Sequence, residues 1–321
     1  MSGLTRRLVV FAAALAPLAA RAQSWPSGPI RIVVPFPPGG SVDAVARLAQ
    51  AGLSQRLGAT IVIENRTGAS GSTGSAAVAK APPDGNTWLI VFDTHAVNPS
   101  LLPNLPFDSD KDLDPVSLVA TAPYVVARHP SRPYGNLGEL IRAAKEKPGS
   151  ISYASVGSGS IGHLALELLG KQAGIDLIHV PYRGGGPSIQ DVVAGHIQLT
   201  FEGISVLLPL IKSGQLRALA VTSAKRSPLL PDVPTMIESC FPDFSTSAWT
   251  GLLAPAGTSP ELIARLNGAV NVALQSTEMK SALDRLAADP LGGPPQELTK
   301  TIESDIGKWA PIVKALNLQL D

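Results

Sequence analysis

The chain has 321 residues, 45% hydrophobic and 5% aromatic, with 26 lysines and arginines against 25 aspartates and glutamates. Charge this close to neutral, without a basic stripe or many aromatic side chains to stack bases, excludes nucleic acid as a partner. The single cysteine, Cys240, excludes an internal disulfide, so the core alone must hold the fold.

At the N-terminus, Arg6-Arg7 precede an apolar run from Leu8 to Ala20 and the small-residue site Ala20-Arg21-Ala22. This reads as a signal peptide over residues 1–22, cleaved near Ala22, and predicts a protein that acts outside the cytoplasm. The run is too short for a membrane span, and no later stretch reaches the ~18 apolar residues that one needs. Thr5-Arg6-Arg7 fits either an ordinary or a twin-arginine leader. The leader holds three arginines and no acid, so the mature chain has 23 basic and 25 acidic residues and a formal charge of −2. A small molecule is the expected partner.

The first strand, Ile30 to Val34, breaks into Pro35-Phe36-Pro37-Pro38-Gly39-Gly40-Ser41-Val42-Asp43. The glycines let the backbone approach a guest, and the following helix offers unpaired N–H groups and a partial positive charge. This turn predicts an anion cradle. Val45, Ala49, Leu53 and Leu57 form the apolar stripe of that helix, which ends at Gly58. Asp43 has two open roles, a first-turn acid favouring the helix dipole or an acceptor for a donor group on a ligand. Strands over 60–64 and 87–92 with a small-residue helix ending at Lys80 complete a β-α-β-α-β half. Asp93, Thr94 and His95 follow the third strand, where ligands bind in open α/β sheets.

A second half begins near Tyr124. Its predicted helix over 137–147 follows an Asn136 cap, and its strand over 151–154 feeds Ser155-Val156-Gly157-Ser158-Gly159-Ser160-Ile161-Gly162-His163, a second cradle opening a helix that ends at Gly174. Strands over 177–181, 197–201 and 216–222, with helices over 188–194 and 206–212, continue the doubly wound pattern, so the fold class is α/β. Tyr182-Arg183-Gly184-Gly185-Gly186 and Glu202 stand at further strand ends. The tail reads as a strand over 249–254 and helices over 260–275 and 296–316.

Gly157-Ser158-Gly159-Ser160-Ile161-Gly162 has dinucleotide-fingerprint spacing, but Tyr182 and Arg183 stand where the ribose-binding acid belongs, so no cofactor is expected. No G-x-S-x-G elbow or H-E-x-x-H motif is present, and the five histidines are scattered. Neither catalytic nor metal-ligating residues are therefore assigned. A hydrolase using a serine and His163 in the same cleft remains the enzymatic alternative.

Taken in order, Pro35-Phe36-Pro37-Pro38-Gly39-Gly40 with Asp43, Glu64-Asn65-Arg66, Pro83-Asp84-Gly85, Thr94-His95-Ala96-Val97-Asn98-Pro99-Ser100, Val180-Pro181-Tyr182-Arg183-Gly184, Leu230-Pro231-Asp232-Val233-Pro234-Thr235 and Trp249-Thr250-Gly251-Leu252-Leu253-Ala254-Pro255 span the mature chain. This set closely resembles the Bug-type receptors, the TctC-like extracytoplasmic solute-binding proteins of tripartite tricarboxylate transporters. The resemblance implies a two-lobed periplasmic binding fold of type II, each lobe a doubly wound sheet flanked by helices, with two crossover strands. The corresponding lobes are residues 23–123 plus 250–321, and 124–249.

It also implies hinge closure on a small organic carboxylate or amino acid, held by the turns Phe36 to Asp43 and Ser155 to His163. The ligand's far end would meet variable residues. The expected ligand-binding set is Phe36, Pro38, Gly39, Gly40, Ser41, Asp43, Asp93, Thr94, His95, Ser155, Gly157, Ser158, Gly159, Ser160, His163, Tyr182 and Glu202. Asp93 and Glu202 depart from the family's pattern at the ligand's far end, and the acid at Asp93 points to a carboxylate that carries an amine or hydroxyl group. The implied partners are membrane transporter subunits, or a membrane sensor if the receptor signals instead, and the protein is expected to be monomeric.

Overall fold

Every residue of strand β1 (Ile30–Val34) except Arg31 is buried, because the strand lies in the middle of its half-sheet with side chains packed on both faces. The structure, a computed structural model, describes residues 25–320 apart from Ser245; the expected signal peptide lies outside the described residues. Ile30, Ile32 and Val34 point to one face, where they meet Val42, Val45, Ala46, Ala49 and Leu53 of helix α1 (Ser41–Leu57). Val33 points to the other, with Leu89 and Val91 of β3 (Thr87–Phe92), while Trp88 and Ile90 of β3 return to the α1 side. Period-two alternation between two buried faces is why both strands read as unbroken apolar runs.

Strand β2 (Ile61–Asn65) pairs parallel with β1, and β1 pairs parallel with β3. A 3-10 turn at Ala69–Gly71 leads into α2 (Ser72–Ala79), and α3 (Thr94–Leu101) follows β3 directly.

Strand β4 (Leu113–Arg128) runs sixteen residues through both half-sheets. From Leu113 to Pro123 it pairs antiparallel with β9 (Ser247–Pro255), and the short β10 (Asp289–Pro290) joins it at Ala120 and Thr121. From Tyr124 to Arg128 its partners become β7 (Leu199–Gly203) and β8 (Arg217–Val221). The second half-sheet continues with β5 (Ser152–Ser155) parallel to β7, and β6 (Ile178–Pro181) parallel to β5. The sheet is thus mixed, with two parallel wings joined through antiparallel strands. Four helices lie over the second wing: α4 (Leu137–Glu146), α5 (Ile161–Ala173), α6 (Gly185–Val193) and α7 (Ile204–Lys212). Asn136 caps α4 by accepting from Glu139 N–H at 2.9 Å, as the sequence predicts.

Helices α8 (Pro260–Leu274) and α9 (Thr277–Arg285) return to the first wing. The last helix, α10 (Pro295–Ala315), serves both wings. Its Leu298 and Ile302 pack with β3 and β9, whereas Trp309, Ile312 and Val313 pack with Leu164 and Leu169 of α5. The tail, which the resemblance assigns to the first lobe, thus also packs against the second wing.

Candidate functional site

Four helix starts converge on one cavity of about 440 Å³ between the two wings. Gly40 and Ser41 bring the start of α1, Asp93 and Thr94 that of α3, Ser160, Ile161 and Gly162 that of α5, and Gly203 and Ser205 that of α7. No side chain caps α1 or α7, so their first-turn N–H groups remain available to a guest, whereas at α3 the Thr94 N–H interacts with the Asp93 carboxyl. Each helix start carries roughly half a positive charge. Their convergence gives the cavity an anion-favouring field, although no lysine, arginine or histidine lines it among the described residues.

The first turn is built by Asp43. Its carboxylate accepts from Gly39 N–H at 2.8 Å, Asn65 Nδ2 at 2.9 Å and Arg47 Nε at 2.9 Å. The Arg47 hydrogen bond, helped by those from Gly39 and Asn65, holds the acid down at about 2 despite its burial. Asn65 also donates to Phe36 carbonyl oxygen at 3.0 Å, which ties the end of β2 to the turn. Gly39 has a φ of +84°, a conformation glycine adopts without strain.

The second turn is organised by His163, whose Nδ1 accepts from Gly159 N–H at 3.0 Å. That bond places the imidazole proton on Nε2. The ring stacks on His179 with centroids 3.7 Å apart, and burial lowers both rings to about 4, so both are neutral near pH 7. Ser155 Oγ sits 2.7 Å from His179 Nε2 and accepts from Gly157 N–H, while Ser160 donates to Gly157 carbonyl oxygen at 2.7 Å. A Cβ on Gly162 would come within 2.7 Å of Phe201 carbonyl oxygen. The glycine pattern here therefore serves the close packing of α5 on β7.

Beside these helix starts the cavity is lined by Phe92, Asp93, Tyr124, Phe201, Glu202 and Thr250. Tyr124 donates its hydroxyl to Asp93 Oδ2 at 2.5 Å and stacks on Phe201 at 5.0 Å. Burial pushes the Asp93 carboxyl well above its usual range, more than the Tyr124 hydrogen bond lowers it. Burial also raises Glu202 to about 7.

Of the residues expected from sequence, Gly39, Gly40, Ser41, Asp93, Thr94, Ser160 and Glu202 line the cavity. The others lie outside its lining, for separate physical reasons. Asp43 spends its carboxylate inside the turn, and Phe36 stands behind the wall, edge-on to Phe92 at 6.5 Å. Pro38 and Ser158 are exposed away from it. His95 is buried against Phe107, with centroids 6.4 Å apart, and burial lowers it to about 4. Ser155, Gly157, Gly159 and His163 satisfy one another within the second turn. Tyr182 donates its hydroxyl to Asp191.

Sequence reasoning missed Val45, Thr121, Tyr124, Phe201, Ser205 and Thr250 as lining residues. Ser205, two residues beyond a strand end, carried a readable signal; Thr121 and Tyr124 depend on the course of β4. Among the described residues, no group of three or more His, Cys, Asp or Glu is placed to hold a metal ion.

The model of the tripartite tricarboxylate transporter family receptor matches residues 45–318. A protein of Pseudomonas sp. strain P51, described as a UPF0065 protein in the tcbD-tcbE intergenic region, is 39% identical over 97% of this chain and 94% of its own length. A solved structure described as a periplasmic transporter is 39% identical, covering 93% of this chain and all of that one, with a TM-score of 0.80. The R. palustris protein Rpa4515, solved with adipate, is 35% identical over 92% of this chain and all of its own, also with a TM-score of 0.80.

Proposed function

This chain belongs to the tripartite tricarboxylate transporter receptor family, and from that premise we propose that it is a periplasmic receptor for a small organic carboxylate. The observation that carries the reading is the convergence of α1, α3, α5 and α7 on one cavity, with the starts of α1 and α7 uncapped. Hydrogen bonds to a charged group contribute about 1.5 to 3 kcal/mol each, so several converging N–H donors replace a formal counter-charge. The adipate carried by the Rpa4515 structure supports a carboxylate as guest.

In this reading the lobes are residues 23–123 plus 250–321, and 124–249, and the division falls where β4 exchanges β9 for β7 and β8. The proposed ligand contacts are Gly40, Ser41, Thr94, Ser160, Ile161 and Ser205 for the carboxylate and Asp93, Tyr124 and Glu202 for the far end. The remaining turn residues hold these in place. The ligand bridges both lobes, favours the closed arrangement, and the closed surface is what the transporter's membrane subunits recognise.

A thermal-shift screen of the mature protein against mono-, di- and tricarboxylates tests this. A ligand at ~100 times its Kd adds about 2.7 kcal/mol of stability, a clear rise in Tm. Absence of a shift with every carboxylate would refute the proposal.

A further inference from the structure

We propose that the end of the cavity formed by Asp93, Glu202, Tyr124, Phe92 and Phe201 is a cation box, and that the ligand is a carboxylate bearing an ammonium group. This inference rests on the receptor reading above and specifies the chemical class of its ligand. Asp93 is 1% exposed; Oδ2 is occupied by Tyr124 and the Thr94 backbone N–H also acts on the carboxyl, but Oδ1 is buried without a hydrogen-bond partner of normal geometry among the described residues. A buried polar atom left so is costly, and a guest that donates to it recovers that cost.

The choice of donor follows from charge. Glu202 lines the same end, on the strand that pairs with β4 beside Tyr124, so two acids share it. Asp305 and Lys308 also act electrostatically on Asp93, and no lysine, arginine or histidine lines the cavity among the described residues. A second carboxylate would enter beside two acids and require both to stay protonated. An alkyl end would leave Oδ1 unpaired. An ammonium donates to Oδ1 and supplies a positive charge that no residue lining the cavity provides.

Three aromatic side chains line the cavity beside these acids: Tyr124 and Phe201 stack at 5.0 Å, and Phe92 completes the wall. The raised pKa values of Asp93 and Glu202, caused first by burial, agree with two carboxyls that no basic side chain of the cavity lining pairs.

Titration calorimetry at pH 7.5 with four six-carbon probes tests the inference: hexanoate, adipate, 6-aminohexanoate and L-2-aminohexanoate. One of the two amino acids should bind at least tenfold tighter than hexanoate and adipate. Its binding should release protons, read as a dependence of the heat on buffer ionisation enthalpy, because an ammonium draws the acids into their charged forms. Asp93→Asn, which keeps an acceptor for Tyr124, or Glu202→Gln should cut the preference at least fivefold. Adipate or hexanoate binding as tightly as the amino acids, or a preference unmoved in both variants, would overturn the cation box and leave the receptor intact. Binding of none of the four would count against the receptor reading itself.

Discussion

The Asn65 side chain donates to Asp43 Oδ1 at 2.9 Å, joining the end of β2 to the first turn of α1. Through that bond and the one from Gly39 N–H, Asp43 ties the Pro/Gly turn together beside the cavity while lying outside its lining.

Asp43→Ala should therefore act on stability first. It leaves the Gly39 amide without its acceptor and the Asn65 side chain with only the Phe36 carbonyl, at a cost of about 1 to 3 kcal/mol in denaturant unfolding. The same carboxylate sets an acid limit. Its folded value, about 2, lies below the ordinary 3.8, so its contribution is complete above about pH 4 and disappears as pH falls through about 2. Parent and variant Tm values should converge at pH 2; a gap that persists there would contradict this role.

The two glycine turns should respond differently to a side chain. A Cβ on Gly40 meets only Pro37 carbonyl oxygen at 3.4 Å, an ordinary contact, and Gly40 lines the cavity. Gly40→Val should weaken carboxylate binding at least tenfold with little change in Tm. Gly159 has a φ of +77°, and its Cβ would lie 2.7 Å from Leu101 Cδ1. Gly159→Val should lower stability by more than about 2 kcal/mol, as overpacking at a left-handed position does. Equal Tm losses in the two variants would contradict the assignment.

The ring of His163 is a structural acceptor, so its protonation should loosen the second turn. Burial lowers its folded value to about 4, below the ordinary 6.5, so this contribution is complete above about pH 6.5 and is lost as pH falls through about 4. His163→Phe should keep the stack on His179 while removing the acceptor for Gly159 N–H, and the variant's Tm deficit should shrink between pH 6.5 and 4. A deficit independent of pH would show that the ring only fills space.

Glu202 has the opposite sign. Its folded value is raised from 4.5 to about 7 by burial, so the unliganded protein loses stability from this group as pH rises from about 4.5 to about 7. Glu202→Gln should match the parent at pH 4.5 and grow more stable relative to it up to pH 7, levelling off above. The comparison must be a difference, because His95, His163 and His179 slope the other way. A constant difference across that range would refute the shift.

The strands of both wings were legible because each is a short apolar run bounded by turn residues. Predicted residues 87–92 coincide with Thr87–Phe92. Strand β4 was not legible, since Pro115 and Pro123 interrupt its sequence; the structure accommodates Pro115 where the β9 register shifts, as prolines in sheets require. Helix α3 was hidden by Pro99 inside Thr94–Leu101. The cavity divides likewise. Helix starts announce themselves as glycine and serine turns, but which turn residues face inward depends on hydrogen bonds such as Gly159 to His163, which no local pattern encodes.

The most direct test is an amide NMR titration of the ¹⁵N-labelled mature protein with the carboxylate selected by the thermal-shift screen. A carboxylate held by the converging helix starts should give its largest shifts at Ser41, Thr94, Ile161, Gly162 and Ser205. The largest shifts instead at the groove beside Lys145, Glu167 and Lys171, with those helix-start amides unmoved, would contradict the account.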